Sequence, residues 1–163
     1  MSVLVQPADV RPVADAEVER LLVDAYVGGG FTSPERAARV FAADAVRARG
    51  DLLCAWLPGV DAPAGMVLVV AGGAPAARLT REGESEMHLL ATSPDHRRAG
   101  VGRALVAAAM AHAREGGASR MMLWTQPAMH AAQSLYRAAG FVRVPERDFG
   151  EEGRTFLVFA AGL

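Results

Sequence analysis

Residues 94–105 read Pro-Asp-His-Arg-Arg-Ala-Gly-Val-Gly-Arg-Ala-Leu, and they join a predicted strand to the start of a predicted helix. Gly100 and Gly102 let the backbone approach a ligand without a Cβ in the way. The first amides of such a helix have no intrahelical acceptor, and the helix dipole adds partial positive charge. Arg97, Arg98 and Arg103 add full charges nearby. The turn is therefore predicted to bind an anion such as a pyrophosphate.

Two common phosphate-binding loops are excluded by the spacing of this segment. No third glycine follows as the dinucleotide fingerprint requires, and no Gly-Lys-Ser/Thr is present as in a Walker loop. On the local residues alone, a tight turn with solvated arginines remains the alternative to an anion site.

Strands and helices are predicted on both sides of this turn. Apolar runs bounded by turn residues predict strands at 3–6, 51–57, 65–71, 84–92, 120–125, 141–144 and 154–159. Apolar residues at helical spacing predict helices at 12–27, 34–47, 100–115 and 127–139. The order predicts an α/β (α+β) fold with a mixed, mostly antiparallel central sheet and helices on both faces.

Composition narrows the class of protein. A length of 163 residues predicts one domain over 1–163. The net charge of −1 lacks the basic excess of a nucleic-acid binder, and no apolar run approaches the ~20 residues of a membrane span. Cys54 is the only cysteine, so no intramolecular disulfide is expected, and its apolar surroundings predict a buried thiol. Without a signal-peptide pattern, a cytoplasmic location is expected.

Two motifs resemble the GCN5-related N-acetyltransferase (GNAT) family. Residues 97–102 match its acetyl-CoA loop, Arg/Gln-x-x-Gly-x-Gly/Ala, and residues 132–141 resemble its Ala-x-x-Leu-Tyr-x-x-x-Gly-Phe signature. The motifs have the family's order and spacing, and together with the strand before the loop they cover about residues 84–149. One position departs, because Met129 stands where many members carry an asparagine that helps to orient the cofactor.

The resemblance implies the acyl-CoA N-acyltransferase fold, with acetyl-CoA as co-substrate and no metal. The strands at 84–92 and 120–125 would splay apart so that the pantetheine arm inserts between them. Backbone groups of the first strand would bond the arm, and amides of the loop and the helix would hold the pyrophosphate. The implied contacts are Leu90, Ala91, Thr92, Arg97, Arg98, Ala99, Gly100, Val101, Gly102, Arg103 and Ala104.

Acetyl transfer to an amine requires a base and a stable leaving thiolate. Glu86 aligns with a strand position that holds the base in some members, and His88 lies two residues on. Structural roles for both, with water as the base, remain open. The signature places the Tyr136 hydroxyl near the thioester sulfur, where it can protonate the thiolate; a core aromatic is the alternative.

In this fold, residues 28–33 and 145–153 would wall the acceptor site. The second segment contains Glu146, Asp148, Glu151 and Glu152, which could form an acidic wall that attracts a protonated amine or could belong to a solvated surface loop. Trp124 and Phe149 are candidates for the same pocket.

The function predicted is acetyl transfer from acetyl-CoA to a primary amine of a small molecule or peptide. The alternatives are a non-catalytic acetyl-CoA sensor and a nucleotide-binding domain unrelated to acyl transfer. The sequence names no acceptor, and it leaves a homodimer open, since relatives often dimerise.

Overall fold

The computed structural model describes residues 2–163, and within that range eight strands form one mixed sheet. The strands are β1 Leu4–Pro7, β2 Asp51–Trp56, β3 Gly65–Val70, β4 Glu84–Thr92, β5 Arg120–Thr125, β6 Val142–Arg143, β7 Phe149–Glu151 and β8 Arg154–Gly162. Their order is β1-β2-β3-β4-β5-β8-β6, and β7 pairs with β8. The pair β4 and β5 is parallel and the other pairs are antiparallel, which confirms the predicted mixed, mostly antiparallel sheet.

Five α-helices accompany the sheet in the described range. They are α1 Asp15–Leu22, α2 Pro34–Val40, α3 Ala43–Arg47, α4 Val101–Glu115 and α5 His130–Ala138. A π-helical turn, Val23–Val27, continues α1, and its C-cap amide of Gly28 bonds to the carbonyl of Val23. None of these helices is long and apolar enough to cross a membrane.

Three helix predictions need correction. The helix expected over 12–27 begins only at Asp15, and its last five residues form the π-helical turn. The helix expected over 34–47 is broken at Phe41 and Ala42, because the carboxylate of Glu19 accepts a bond from the Ala43 amide and so caps a separate α3. The helix expected from Pro127 begins only at His130. Its preceding turn is held by the Gln133 side chain, which donates to the carbonyls of residues 126 and 127.

The sheet separates two apolar cores by simple alternation along its strands. Leu53 and Ala55 of β2 lie in the core beneath α4, whereas Leu52, Cys54 and Trp56 lie in the core beneath α1, α2 and α3. Helices therefore cover both faces, as predicted. The thiol of Cys54 is fully buried, so the prediction of a buried thiol is confirmed, and burial raises its pKa to about 11.

The inner face of α5 differs from the alanine stripe that its spacing suggests. Ala131 and Ala138 are exposed, while Gln133 and Tyr136 are buried. Burial of the large tyrosine ring removes more apolar surface from water than burial of a methyl group, so Tyr136 sets the rotation of the helix.

Strand β4 loses regular pairing on both sides near its middle. It pairs with β5 only at Glu84, Ser85 and Glu86, although both strands continue beyond these residues. On the other side, the register with β3 shifts by one residue, and Leu89 adopts a left-handed conformation with φ of 53°. This bulge and the parting of β4 from β5 open the sheet where the resemblance implies that a pantetheine arm enters.

A buried ion pair holds the segment between β6 and β7 against the start of β4. The Arg147 guanidinium bonds both carboxylate oxygens of Glu84, at 2.8 Å and 2.9 Å, and also the carbonyl of Leu79. Hydrogen bonds from Arg147 are the main cause that lowers the pKa of Glu84. The contact fixes the segment around Leu79, which supports the site described below.

We expect Arg147→Met to lower the free energy of unfolding by about 3 kcal/mol, because it leaves a buried carboxylate short of its main partner. The matched change Arg120→Met removes a more exposed partner of the same carboxylate and should cost less than about 1 kcal/mol. Chemical denaturation measures both losses, and equal losses would contradict the assignment.

This contribution should depend on pH. Because the folded-state pKa of Glu84 is lowered, its ionised form stabilises the fold above the unfolded-state pKa, and the stabilisation disappears as pH falls through the folded-state pKa. The difference between wild type and Arg147→Met should therefore shrink in acid.

Candidate active site

A cavity of about 380 Å³ lies beside the part of the sheet where β4 and β5 have parted. Side chains from several elements line it, among them His88 of β4, Trp124 of β5 and Tyr136 of α5. Two of the three residues predicted to be catalytic therefore share one cavity.

His88 is held by the third predicted residue, Glu86. Its Nε2 lies 2.7 Å from Glu86 Oε1, and its ring contacts Trp124 edge to face with centroids 4.5 Å apart. Glu86 and His88 face the same side of β4, as regular alternation requires, because the bulge begins only at Leu89. The bond and the tryptophan together fix the orientation of the imidazole.

The Glu86 carboxylate is fully buried and well supplied with donors. It accepts backbone N–H bonds from Arg78, Leu79 and Thr80, at distances between 2.7 Å and 3.1 Å. Burial acts to raise the pKa of Glu86, but the bonds from His88 and these amides outweigh it, and the pKa is lowered. An ionised carboxylate only accepts, so His88 Nε2 carries the proton of this hydrogen bond, which makes Nδ1 the acceptor in the neutral form of the ring.

Glu86 itself does not line the cavity. The prediction that it removes the proton directly therefore gains no geometric support, whereas His88 has access to the cavity. Glu86 is placed to position His88 and to set its tautomer.

Tyr136 lines the cavity from α5. Its ring packs against Phe141 and Phe159, with centroids 5.9 Å and 6.3 Å away, and only 7% of the residue is exposed. Burial raises the pKa of its phenol, so the hydroxyl keeps its proton. It can therefore donate a hydrogen bond to a negative charge that develops in the cavity.

The turn at 97–104 has the geometry of an anion cradle. Arg98 and Gly100 are both left-handed, with φ of 62° and 79°, and Gly100 is the N-cap of α4. The first α-helical bond runs from the Ala104 amide to the Gly100 carbonyl, so the amides before it lack intrahelical partners. Arg97, Arg98 and Arg103 are exposed beside them, whereas the Val101 side chain is anchored in the core.

The strand residues predicted to contact the pantetheine arm have mixed surroundings. Ala91 and Thr92 remain paired with β3, and Ala91 is buried. The carbonyl of Leu90 accepts a 3.0 Å bond from the Tyr26 hydroxyl, a residue that sequence reasoning missed. Met129, at the position often occupied by asparagine in the family, is the N-cap of α5 and lines the cavity.

The interpretation of an acidic acceptor wall is wrong, because the cavity wall carries more positive than negative charge. Only Glu151 of the four predicted acids lines the cavity, together with four arginines, Arg36, Arg49, Arg78 and Arg154. Asp148 is held by Arg143 in a bidentate pair and accepts the Val158 amide, so it faces its own loop. Of the two aromatic candidates, Trp124 lines the cavity and Phe149 packs behind it.

The family model described as the acetyltransferase (GNAT) family matches residues 16–141, which include the cradle, β4, β5 and Tyr136. The chain belongs to the GNAT family. The description of the matched model names this family as acetyltransferases.

Similar proteins and structures agree with this placement in the GNAT family. Mycothiol acetyltransferase of Thermobispora bispora is 40% identical over 58 residues, which are 36% of this chain and 20% of that protein. The matched segments make up between 20% and 30% of the curated relatives' own lengths.

Solved GNAT-type structures show the same fold over nearly the whole chain. A Bacillus subtilis acetyltransferase in complex with CoA has a TM-score of 0.70 and 20% identity, and covers 99% of both chains. A GNAT-family acetyltransferase of Staphylococcus aureus has a TM-score of 0.75 and 12% identity, with the same coverage.

We expect Glu86→Gln to mix the two neutral tautomers of His88. The amide that replaces the carboxylate no longer requires a proton on Nε2 and is poorly matched to three N–H donors. Nitrogen-15 NMR of the imidazole distinguishes the tautomers. Glu82→Gln, at an exposed position of the preceding loop, is the control. An unchanged His88 spectrum in Glu86→Gln would remove its positioning role.

Proposed function

We propose that this chain is an N-acetyltransferase that moves the acetyl group of acetyl-CoA to a primary amine of a small molecule or peptide. The amine would attack directly, with both substrates bound. The observation that carries the proposal is one cavity, next to the parting of β4 and β5, that contains both an oriented histidine and a buried tyrosine hydroxyl.

The cradle fits the phosphates of the co-substrate. Unpaired amides at the start of α4, left-handed residues before them and three exposed arginines offer an anion both hydrogen bonds and charge. Beyond Glu86, β4 and β5 no longer bond each other, so their facing edges can bond a polar, extended arm.

In the proposed reaction, His88 is the base. Its Nδ1 takes a proton from the acceptor ammonium, directly or through water, while Nε2 keeps its own proton and donates it in a hydrogen bond to Glu86. The neutral nitrogen then forms a bond to the thioester carbonyl carbon, the carbon–sulfur bond breaks, and the nitrogen, now positively charged, loses its second proton to solvent. Products are the acetamide and CoA thiolate, which takes up a proton from solvent.

Tyr136 stabilises the negative charge that develops on sulfur. Because burial raises the pKa of its phenol, complete proton transfer to a thiolate is unfavourable, and a donated hydrogen bond is the favoured role. This refines the simple protonation that the sequence suggests, and it keeps Tyr136 at the same place in the reaction.

Release of free CoA during incubation with acetyl-CoA and an amine panel tests the function, and product masses identify the acceptor. Turnover supports the enzyme. Tight acetyl-CoA binding without turnover of any amine would support a sensor instead.

We expect Gly102→Val to remove most of the thermal stabilisation by acetyl-CoA. In wild type, ligand at a hundredfold excess over Kd adds about 2.7 kcal/mol. A Cβ at position 102 lies 3.0 Å from the flexible end of Leu135 and 3.6 Å from the Thr92 hydroxyl, so the fold can adjust while the cradle is crowded. Ala107→Val, exposed on the same helix, should keep the full shift. A folded Gly102→Val protein with a normal shift would contradict the cradle.

We expect Tyr136→Phe to lower kcat at least tenfold with little change in acetyl-CoA binding, because the hydroxyl acts when charge develops on sulfur. Tyr26→Phe also deletes a hydroxyl of the cavity, but one already bonded to Leu90, and should lower kcat less. Steady-state kinetics beside thermal melting measures both. A folded Tyr136→Phe protein with normal kcat would leave Tyr136 with a packing role only.

A further inference from the structure

Four arginines from separate parts of the chain meet at the cavity. Arg36 comes from α2, Arg49 precedes β2, Arg78 lies between β3 and β4, and Arg154 begins β8. Glu151 is the one carboxylate among the described lining residues. The cavity wall therefore carries a clear excess of positive charge, in a chain whose net charge is −1.

Two of these arginines have carboxylate partners and two do not. Arg78 forms a bidentate pair with Glu151, at 2.8 Å and 3.1 Å, and Arg36 pairs with Glu152. Arg49 donates to the carbonyl of Val40 at 3.0 Å, and within residues 2–163 no carboxylate lies at salt-bridge distance from it or from Arg154. The guanidinium of Arg154 lies over the Phe156 ring instead.

The surroundings of Arg49 oppose its charge. Burial lowers its pKa, and the nearby Arg36 lowers it further. The pKa of Arg36 is lowered by burial and then by Arg154 and Arg39. An anion bound among these groups would relieve the repulsion, and a guanidinium offers it a bidentate fork.

Neutral donors at the same cavity also lack partners. The hydroxyls of Thr32 and Thr125, both from lining residues, are buried with no hydrogen-bond partner among the residues that the structure describes. Buried hydroxyls are usually satisfied, so these two point to a polar ligand group. Aromatic rings of Phe41, Trp124 and Phe156 supply the apolar remainder of the wall.

We propose that the acceptor is an amine that carries an oxyanion group, a carboxylate or a phosphate monoester, which Arg49 binds with help from Arg36. The amine of the same molecule reaches His88, which lines the same cavity. This inference rests on the proposed acetyl transfer and names the chemical class of its acceptor.

The proposal can be tested with pairs of acceptors whose members differ in whether they carry the anionic group. The pairs are phenylalanine and phenylalaninamide, alanylalanine and its amide, and O-phosphoethanolamine and ethanolamine, each measured by CoA release. We expect at least a tenfold higher kcat/KM for the anionic member of one or more pairs. The α-amino group of an amide is less basic and more often neutral, so intrinsic reactivity favours the amide, and a preference for the acid reports binding.

Variants of single arginines show which residue causes the preference for the anionic acceptor. Arg49→Met should reduce the preference to within about threefold, chiefly through a higher KM for the anionic member. Arg49→Lys should restore part of it. Arg39→Met, on the exposed side of α2 and outside the cavity, should keep the full preference. Thermal melting confirms that each variant is folded.

The outcomes separate this proposal from the function on which it rests. A preference confined to the phosphate pair supports the oxyanion site and identifies its ligand as a phosphate. Turnover with equal or better use of the neutral members, or a preference that survives Arg49→Met, overturns the oxyanion site and leaves acetyl transfer intact. Absence of turnover with every amine, despite acetyl-CoA binding, overturns both.

Discussion

The buried carboxylate of Glu86 is the contact on which the arrangement of the site depends. It lies at the last residue where β4 still pairs with β5, so it marks the point at which the sheet opens. Three amides of the preceding loop and the ring of His88 donate to it. Desolvation of such a group would be costly without these donors, and with them it joins a loop, a strand and the candidate base into one unit.

The loop at residues 78–80, whose amides donate to Glu86, is itself held by side chains from a later part of the chain. Arg147 contacts Leu79 and Glu84 at once, and Arg78, next to Leu79, pairs with Glu151, which also lines the cavity. The orientation of His88 thus depends on charges from the last third of the chain. A substitution at Arg147 or Glu151 can therefore affect the orientation of the imidazole without contact with any substrate, which is how positioning residues act.

The parts of this structure that the sequence predicts well are those decided by local patterns. Strands β4 and β5 were predicted with the bounds observed, since apolar runs end there at glycine, proline and polar turn residues. The cap at Ser33 and the glycine-rich start of α4 are local in the same sense. The start of α4 also carries the motif at 97–102, which is why the cradle could be placed in advance.

What escaped prediction depends on contacts between distant residues. The break before α3 is made by Glu19, 24 residues away, and no pattern within 34–47 signals it. The four arginines of the cavity come from segments separated by a dozen to more than seventy residues, so their convergence is a property of the fold alone. The acids at 146–152 were visible as a cluster, yet whether each would face the cavity or an arginine was decided by tertiary packing.

The π-helical turn at Val23–Val27 carries Tyr26 to the Leu90 carbonyl, and its geometry has a consequence for how the chain tolerates change. A π-turn holds one residue more than the α-helical turn it replaces. A residue added to a turn that stays α-helical would rotate every later side chain by about 100°, whereas the wider π-turn accommodates it with little change in their directions. The π-turn therefore lets this segment carry one residue more than a regular helix while Tyr26 still reaches the bulge of β4.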